Sequence, residues 1–398
     1  MKYAICSLLI VILLQLTAPA FGGSVFSSRG FGQPALLANA RSLGMGGVAI
    51  ALSGPLTISR LNPAGLSGIR TTALTLQYLF ENNRYEDGSG SNISSYSNID
   101  GFHFVLPLGR GAGLAAGLTP LTRIDYYLTF DEQLGGEPYT KSVEGSGGLN
   151  TFTFSAFWAV RPFLALGLSG HYVFGKMVES WEIDYENSAF YQSTDTYSTK
   201  NWGYGFTAGL LIKPLASLQI GAVYSTDYHI DNRTDIYYVF TTDNKQLNGS
   251  LLYPSSWGIG LTYQVPDLVL IGGDFQYYMW NHLQINGNDP GYTDNQIRIA
   301  AGAEFFHSRQ REAPYIKRLA YRVGFSYQPY FALDASGQTV NEYWGTLGFG
   351  FPLISNTRLD IALGYGIRGS VDMHQLRDNL FRVSASITGG ERWFVRKC

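Results

Sequence analysis

Ile297-Arg298-Ile299-Ala300-Ala301-Gly302-Ala303-Glu304-Phe305 alternates without interruption. Ile297, Ile299, Ala301, Ala303 and Phe305 fall on one parity, and Arg298, Gly302 and Glu304 fall on the other. A period of two places successive side chains on opposite faces of a strand, whereas a helical period would scatter both sets. The same two-faced pattern recurs along the chain. Tyr321, Val323, Phe325 and Tyr327 oppose Arg322, Gly324, Ser326 and Gln328, while Phe381, Val383, Ala385 and Ile387 oppose Arg382, Ser384, Ser386 and Thr388. In Leu218 to Ile230, one face reads Leu218, Ile220, Ala222, Tyr224, Tyr228 and Ile230, interrupted by Thr226; the other holds Gln219, Gly221, Ser225, Asp227 and His229.

Working outward from these stretches, fourteen strands are placed near 72–83, 99–108, 112–129, 148–160, 163–182, 200–213, 217–231, 252–264, 267–284, 294–307, 317–331, 339–351, 357–372 and 379–390. An even number suits a closed antiparallel barrel whose two ends lie on one side. The connections alternate as well. Those after the second, fourth, sixth and eighth strands are tight: Gly109-Arg110-Gly111, Arg161-Pro162, Lys213-Pro214-Leu215-Ala216 and Val265-Pro266. Those after the first, third, fifth and seventh read as long polar loops over 82–98, 131–147, 182–199 and 232–251. Short periplasmic turns and long external loops are the build of outer-membrane barrels, so this parity puts both termini in the periplasm.

Composition agrees. Of 398 residues, 15% are charged, against about 25% in soluble globular proteins, while 15% are aromatic and 47 are glycine. No apolar run after Leu16 approaches the ~20 residues a membrane helix needs. A β-barrel needs no such run, because only every second residue meets lipid. A soluble sandwich would bury its apolar face and carry charge outside. Here the polar face is rich in Gly, Ser and Thr with scattered charges, which suits a lumen. The apolar face carries Trp158, Tyr172, Trp257, Tyr263 and Tyr365 toward its ends, as an interfacial girdle would. The expected fold is thus an all-β, 14-stranded antiparallel transmembrane β-barrel. A net charge of −2 without a basic block gives no support to nucleic acid as a partner, and none is expected; outer-membrane lipid is the expected surround, and the chain is expected to act as a monomer.

The first residues read as an address. Met1-Lys2 precedes an apolar run from Ala4 to Leu16, and Ala18-Pro19-Ala20 or Ala20-Phe21-Gly22 supplies the small residues for cleavage after Ala20 or Gly22. Cys6 lies inside that run and is not placed for lipid attachment. Removal of the signal leaves Cys398 alone, so no internal disulfide forms, and no Cys/His spacing suits a metal. The expected division is a signal peptide over 1–22, a plug over 23–70, the barrel over 71–394 and a tail over 395–398.

Two features interrupt the strand pattern. Pro120, in Leu118-Thr119-Pro120-Leu121-Thr122, lacks a ladder donor and predicts a break in the third strand, at the membrane edge or as a lateral opening in the wall. The second is the lumen itself, since about eight strands is the limit that side chains alone can fill. The segment over 24–70 is the free piece large enough to plug fourteen. Gly44, Gly46 and Gly47 permit tight bends there, and Pro63 with Gly65 sets a turn. Asp227, Asp274, Arg298, Glu304, Arg322, Asp360, Arg368 and Arg382 are the lumen charges expected to pair or to tie the plug down.

Ala40-Arg41-Ser42-Leu43-Gly44-Met45-Gly46-Gly47-Val48-Ala49, followed by Asn62-Pro63-Ala64-Gly65-Leu66, resembles the N-terminal hatch of the FadL-type outer-membrane transport proteins. Tyr253-Pro254-Ser255-Ser256-Trp257-Gly258-Ile259-Gly260-Leu261, then Gly273-Asp274-Phe275-Gln276-Tyr277 and Trp280, is similar to that family's mid-barrel strand pair. The resemblance implies passive uptake of long-chain fatty acids or other hydrophobic molecules. It assigns hatch movement to Asn62, Pro63, Ala64, Gly65 and Leu66, and sideways exit to the vicinity of Pro120. The chain departs from the pattern by ending on Cys398, with Trp393-Phe394 near but not at the end. Ala40-Arg41 with Met45-Gly46-Gly47 also resembles PorV-type barrels of type IX secretion, which implies protein cargo as the alternative.

Catalysis and cofactors are not expected. His103, His171, His229, His282, His307 and His374 are scattered singly, with no His-Glu-x-x-His and no Gly-x-Ser-x-Gly. His171 and His229 are expected to face the lumen.

Overall fold

The computed structural model describes residues 25–88, 90–185, 187, 190–240, 245–266, 268–305, 313–353 and 356–391. The expected signal over 1–22 and tail over 395–398, with Trp393, Phe394 and Cys398, lie outside the described residues. The barrel strands are β1 (Thr72–Asp87), β2 (Ser91–Gly109), β3 in two halves (Ala112–Pro120 and Thr122–Leu134), β4 (Glu137–Arg161), β5 (Leu164–Tyr185) and β6 (Ser193–Leu215). Then come β7 (Leu218–Ser225 and Tyr228–Tyr237), β8 (Lys245–Tyr253 and Ser256–Val265), β9 (Val269–Tyr278) and β10 (Gln296–Phe305). β11 (Ala320–Leu333), β12 (Thr339–Pro352), β13 (Thr357–Ser370) and β14 (Leu376–Glu391) complete the ring. Neighbours pair antiparallel, and β14 returns to β1 from Leu376 opposite Asp87 to Glu391 opposite Thr72. Closure satisfies the ladder groups that an open sheet edge would leave bare in lipid.

The outward parity meets the expectation of a lipid face. Leu74, Leu76, Phe102, Leu118, Phe154, Leu166 and Ile259 point out and are exposed. Tyr172, Tyr204, Tyr224, Trp257, Tyr343 and Tyr365 ring one end of that band, and Trp158 and Tyr263 stand near the other. Trp and Tyr suit both interfaces because each joins an apolar ring to a polar tip.

Two expectations need correction. The segments over 82–98, 131–147, 182–199 and 232–251 are mostly strand, not loop: β1 and β2 pair as far as Glu86 opposite Ser91, and β3 and β4 meet around Gly135-Gly136. Their polar composition marks wall that rises past the apolar band, where both parities are largely polar, so the sequence lacks the alternation even where one face is buried, as at Asn83 and Tyr85. The second correction concerns β7. Thr226 and Asp227 break the strand, and across the break the parity reverses. Tyr224 faces out while Tyr228 and Ile230 are buried and His229 is exposed. His229 is therefore not lumenal, and Asp227 binds wall to wall, its carboxylate accepting the Ser255 N–H at 2.6 Å.

The break at Pro120 is present, and it opens the ladder. The first half of β3 pairs with β2 as far as Leu118 opposite Phe102, but the second half pairs with β4 without rejoining β2. Beyond Phe102, β2 pairs with β1 alone on its other side, with a register shift at Gln77/Tyr78. Proline has no N–H to continue the β2 ladder, and the chain turns away at Leu121. A notch results between the upper halves of β2 and β3.

Candidate functional site

The chain from 38 to 71 fills the end of the lumen where the short turns lie, while 25–35, with a 3-10 turn at Val25–Ser28 and a two-residue strand at Gln33–Pro34, lies toward the opposite end. The regular pieces of 38–71 are brief: the turn of helix α1 (Ala40–Leu43) and a 3-10 turn, Pro63–Gly68. Asn39 caps α1, its side-chain oxygen accepting the Ser42 N–H at 2.9 Å. Gly46 and Gly47 carry φ of 70° and 84°, a region glycine enters freely, and this bends the chain back beneath Arg298. Met45, Val48, Ile50 and Leu52 are fully buried against the wall, each contributing roughly 1.5–3 kcal/mol by removal from water.

The wall receives the plug through missing side chains. A Cβ on Gly324 would collide with Met45 C and Gly46 N, and one on Gly167 with Pro63 C and Ala64 N. Backbone therefore lies on backbone at both contacts. Asn62, completely buried, ties the plug to itself and to the wall: its side-chain oxygen accepts the Ala64 N–H at 3.0 Å, and its amide donates to Ile50 O at 2.8 Å and Leu210 O at 3.1 Å.

Charges complete the attachment. Arg41 forms a bidentate pair with Glu304 at 2.7 and 2.8 Å and also donates to Thr57. Glu304 binds Arg322 at 2.5 Å, Arg322 reaches Asp360 at 2.9 Å, and Asp360 accepts from Arg358 at 2.7 Å. Arg358 in turn donates to Leu56 O of the plug at 3.1 Å. Asp274 accepts the Ala49 and Ile50 N–H groups at 2.6 and 2.9 Å, and Arg298 donates to Gly46 O at 2.8 Å. Arg60 pairs with Asp100 at 2.9 Å, and Gln77 binds the same carboxylate at 2.8 Å.

At the opposite end the lumen is capped by rings. Phe31 of the plug stacks on Trp280 (5.8 Å, 13°) and Phe331 (5.3 Å, 29°) and meets Tyr253 edge-on. Between cap and plug lies a cavity of about 140 Å³, bordered by Leu36, Leu121, Tyr228, Tyr253, Trp280 and Phe331 among others. Leu121 is the residue at the β3 break, so the cavity adjoins the notch. The notch is held shut from inside. Gln33 and Pro34 pair with Arg123 and Thr122 of the open β3 edge, and Ala35 N donates to Leu121 O at 2.9 Å. Arg123 spans the notch to Glu81 of β1 at 2.5 Å, with its guanidinium over the Tyr96 ring of β2 at 4.8 Å.

This barrel with its inserted N-terminal segment has known counterparts. A family model described as BamG matches residues 1–398. The chain belongs to the BamG family. Among solved structures, this BamG-family barrel is similar to a Pseudomonas aeruginosa FadL homologue, at 15% identity over 90% of this chain and 99% of that one, with a TM-score of 0.63. It is also similar to the Ralstonia pickettii toluene transporter TbuX (16% identity, 89% and 99% covered, TM-score 0.60) and to the CymD monoaromatic hydrocarbon channel (16%, 90% and 99%, 0.59). At these identities the likeness is one of fold. No curated protein matches the chain.

Of the eight lumen charges singled out in the sequence, Asp274, Arg298 and Glu304 touch the plug directly. Arg322 and Asp360 act one residue removed, and Arg368, paired with Glu342 at 2.5 Å, stacks on Phe26. Arg382 stays within the wall, between Glu81 and the Trp344 ring. Arg41, Arg60, Glu81, Asp100, Arg123 and Arg358 were not singled out. A signal for the first two existed: between Gly30 and Gly68 the plug carries no other charge, so each buried arginine demands a carboxylate.

Proposed function

We propose that this BamG-family barrel is a gated passage for hydrophobic molecules in the outer membrane, working as a monomer with both termini in the periplasm. The observation that carries this reading is the aromatic-bordered cavity adjoining Leu121, where β3 leaves β2. A molecule held there is beside the part of the wall that lacks ladder hydrogen bonds. Sideways exit at Pro120 would place it in lipid without crossing a water column, gaining roughly 0.8 kcal/mol per buried CH₂. Flow then follows the gradient.

The segment over 23–70 serves as the hatch, with the Asn62–Leu66 turn and the Gly44, Gly46 and Gly47 bend as its moving parts. Channels for toluene and other monoaromatic hydrocarbons share the fold, and cargo of that size suits a cavity of about 140 Å³. Long-chain fatty acids would need the hatch displaced first.

The test is uptake of radiolabelled toluene and oleate by cells lacking this chain and by cells supplied with it. Restored uptake of either, reduced again when Pro120-Leu121 becomes Val-Val, is the expected result. Equal uptake with and without the chain would sink the proposal.

A further inference from the structure

The cavity is not uniformly apolar. On the β9–β10 side Gln276 lies opposite Arg298 and Tyr278 opposite Gln296, so these four line it at adjacent levels, with Trp280 beside them on the loop after β9. Gln276 is 4% exposed, Gln296 2% and Trp280 2%. Even so, Nε2 of Gln276, both amide atoms of Gln296 and the Trp280 N–H have no hydrogen-bond partner among the described residues.

Arg298 adds a charge. It is 1% exposed and makes no ion pair among the described residues; of its five N–H donors, Nη2 donates to the Gly46 carbonyl and Nη1, at 3.5 Å, to that of Gly47. The neighbouring acids are engaged elsewhere. Glu342 holds Arg368 and the Trp344 N–H, and Asp274 accepts two plug N–H groups on Oδ2; its Oδ1 has no hydrogen-bond partner among the described residues and makes no ion pair with Arg298. Buried donors without acceptors and a buried cation without an anion are each costly. Among the lining groups without partners donors outnumber acceptors, and Arg298 adds a positive charge that no ion pair neutralises.

The geometry points to a ligand with a carboxylate head on a short apolar body, of the size of a single-ring aromatic carboxylate. The inference rests on the passage reading above and narrows it. A carboxylate is flat, takes several donors at once, and makes stronger hydrogen bonds for being charged. The head sits against Gln276, Gln296, Trp280 N–H and Arg298, and the ring sits against Leu36, Leu121 and Phe331. Size sets the class: a cavity of about 150 Å³ holds one benzene ring in another protein, and this one is about 140 Å³.

Calorimetric titration of the full chain in amphipol with p-toluate and p-xylene tests the assignment, because the two probes share a ring and a methyl group. The expected result is tighter binding of p-toluate by about tenfold or more. Gln296→Leu, and separately Trp280→Phe, each lower p-toluate affinity about five- to tenfold and leave p-xylene within about twofold. Trp280→Phe keeps the ring on Phe31, so it serves where Gln296→Leu fails to fold. In the wild type, p-toluate binding no tighter than p-xylene overturns the carboxylate head while the passage reading stands. Palmitate binding tighter than p-toluate overturns the size class. An unchanged probe ratio in both variants overturns the location. Failure of every probe to bind the wild type counts against the passage reading itself.

Discussion

Glu304 receives two guanidiniums of different origin, Arg41 from the plug and Arg322 from the adjacent strand β11, all three nearly excluded from water. Removing one partner from a buried pair leaves its charges uncompensated, at a cost of roughly 3–5 kcal/mol. Glu304→Gln should therefore loosen the plug before it unfolds the barrel, whose ladder is untouched. Limited proteolysis reads this as new cleavage between Gly30 and Gly68; a cleavage pattern identical to wild type would show that Glu304 does not hold the plug. Gly324 makes the opposite kind of contact, one of shape. A methyl there meets Met45 and Gly46 backbone, which cannot swing aside as a side chain can. Gly324→Ala is expected to lower the temperature of the heat-induced mobility shift on gels, by overpacking worth about 1–3 kcal/mol. A mobility shift at the wild-type temperature would mean the plug adjusts freely.

The elements differ in what holds them. The strands are bound by ladders that ignore the plug, whereas the plug has little regular structure and depends on wall contacts for its shape. Deleting residues 30–68 is thus expected to leave a folded barrel with markedly raised single-channel conductance in planar bilayers; a conductance equal to wild type would place the seal elsewhere. The notch in β3 behaves differently again, because Arg123 bridges it by side chain rather than backbone. Arg123→Ala removes a charged hydrogen bond of about 1.5–3 kcal/mol and the stack on Tyr96. If the notch is the exit, initial uptake of toluene rises several-fold in this variant, and an unchanged or lower rate argues against it. Proline at 120 announced the break, but the notch depends on two strands, and neither strand alone reveals that its partner is missing.

At the scale of the whole molecule, the proposed orientation puts the Gly135-Gly136 hairpin tip outside the cell and Arg110-Gly111 in the periplasm. An epitope inserted at the first site should be labelled on intact cells and one at the second should not; the reverse labelling would invert the barrel. Much of this architecture was legible in the chain. Stretches such as Ile297 to Phe305 determined strand, face and count, because alternation between lipid and lumen is imposed residue by residue. The Asn62-Pro63-Ala64-Gly65 turn and the run of apolar residues from Met45 to Leu52 likewise marked a segment that had to be buried. Where residues of both parities are mostly polar, as over 82–98, the sequence carries no alternation and strand read as loop. At Thr226-Asp227 a two-residue break reversed the faces that simple counting assigned to Tyr228 and His229. Partner choice lay beyond local pattern altogether. Arg41 and Glu304 are 263 residues apart, and only closure of the ring with the plug inside brings them together. The same closure leaves Gln276, Gln296, Trp280 and Arg298 around one cavity. Periodicity is a property of neighbours along the chain; pairing, sealing and the cavity are properties of the space the closed wall encloses.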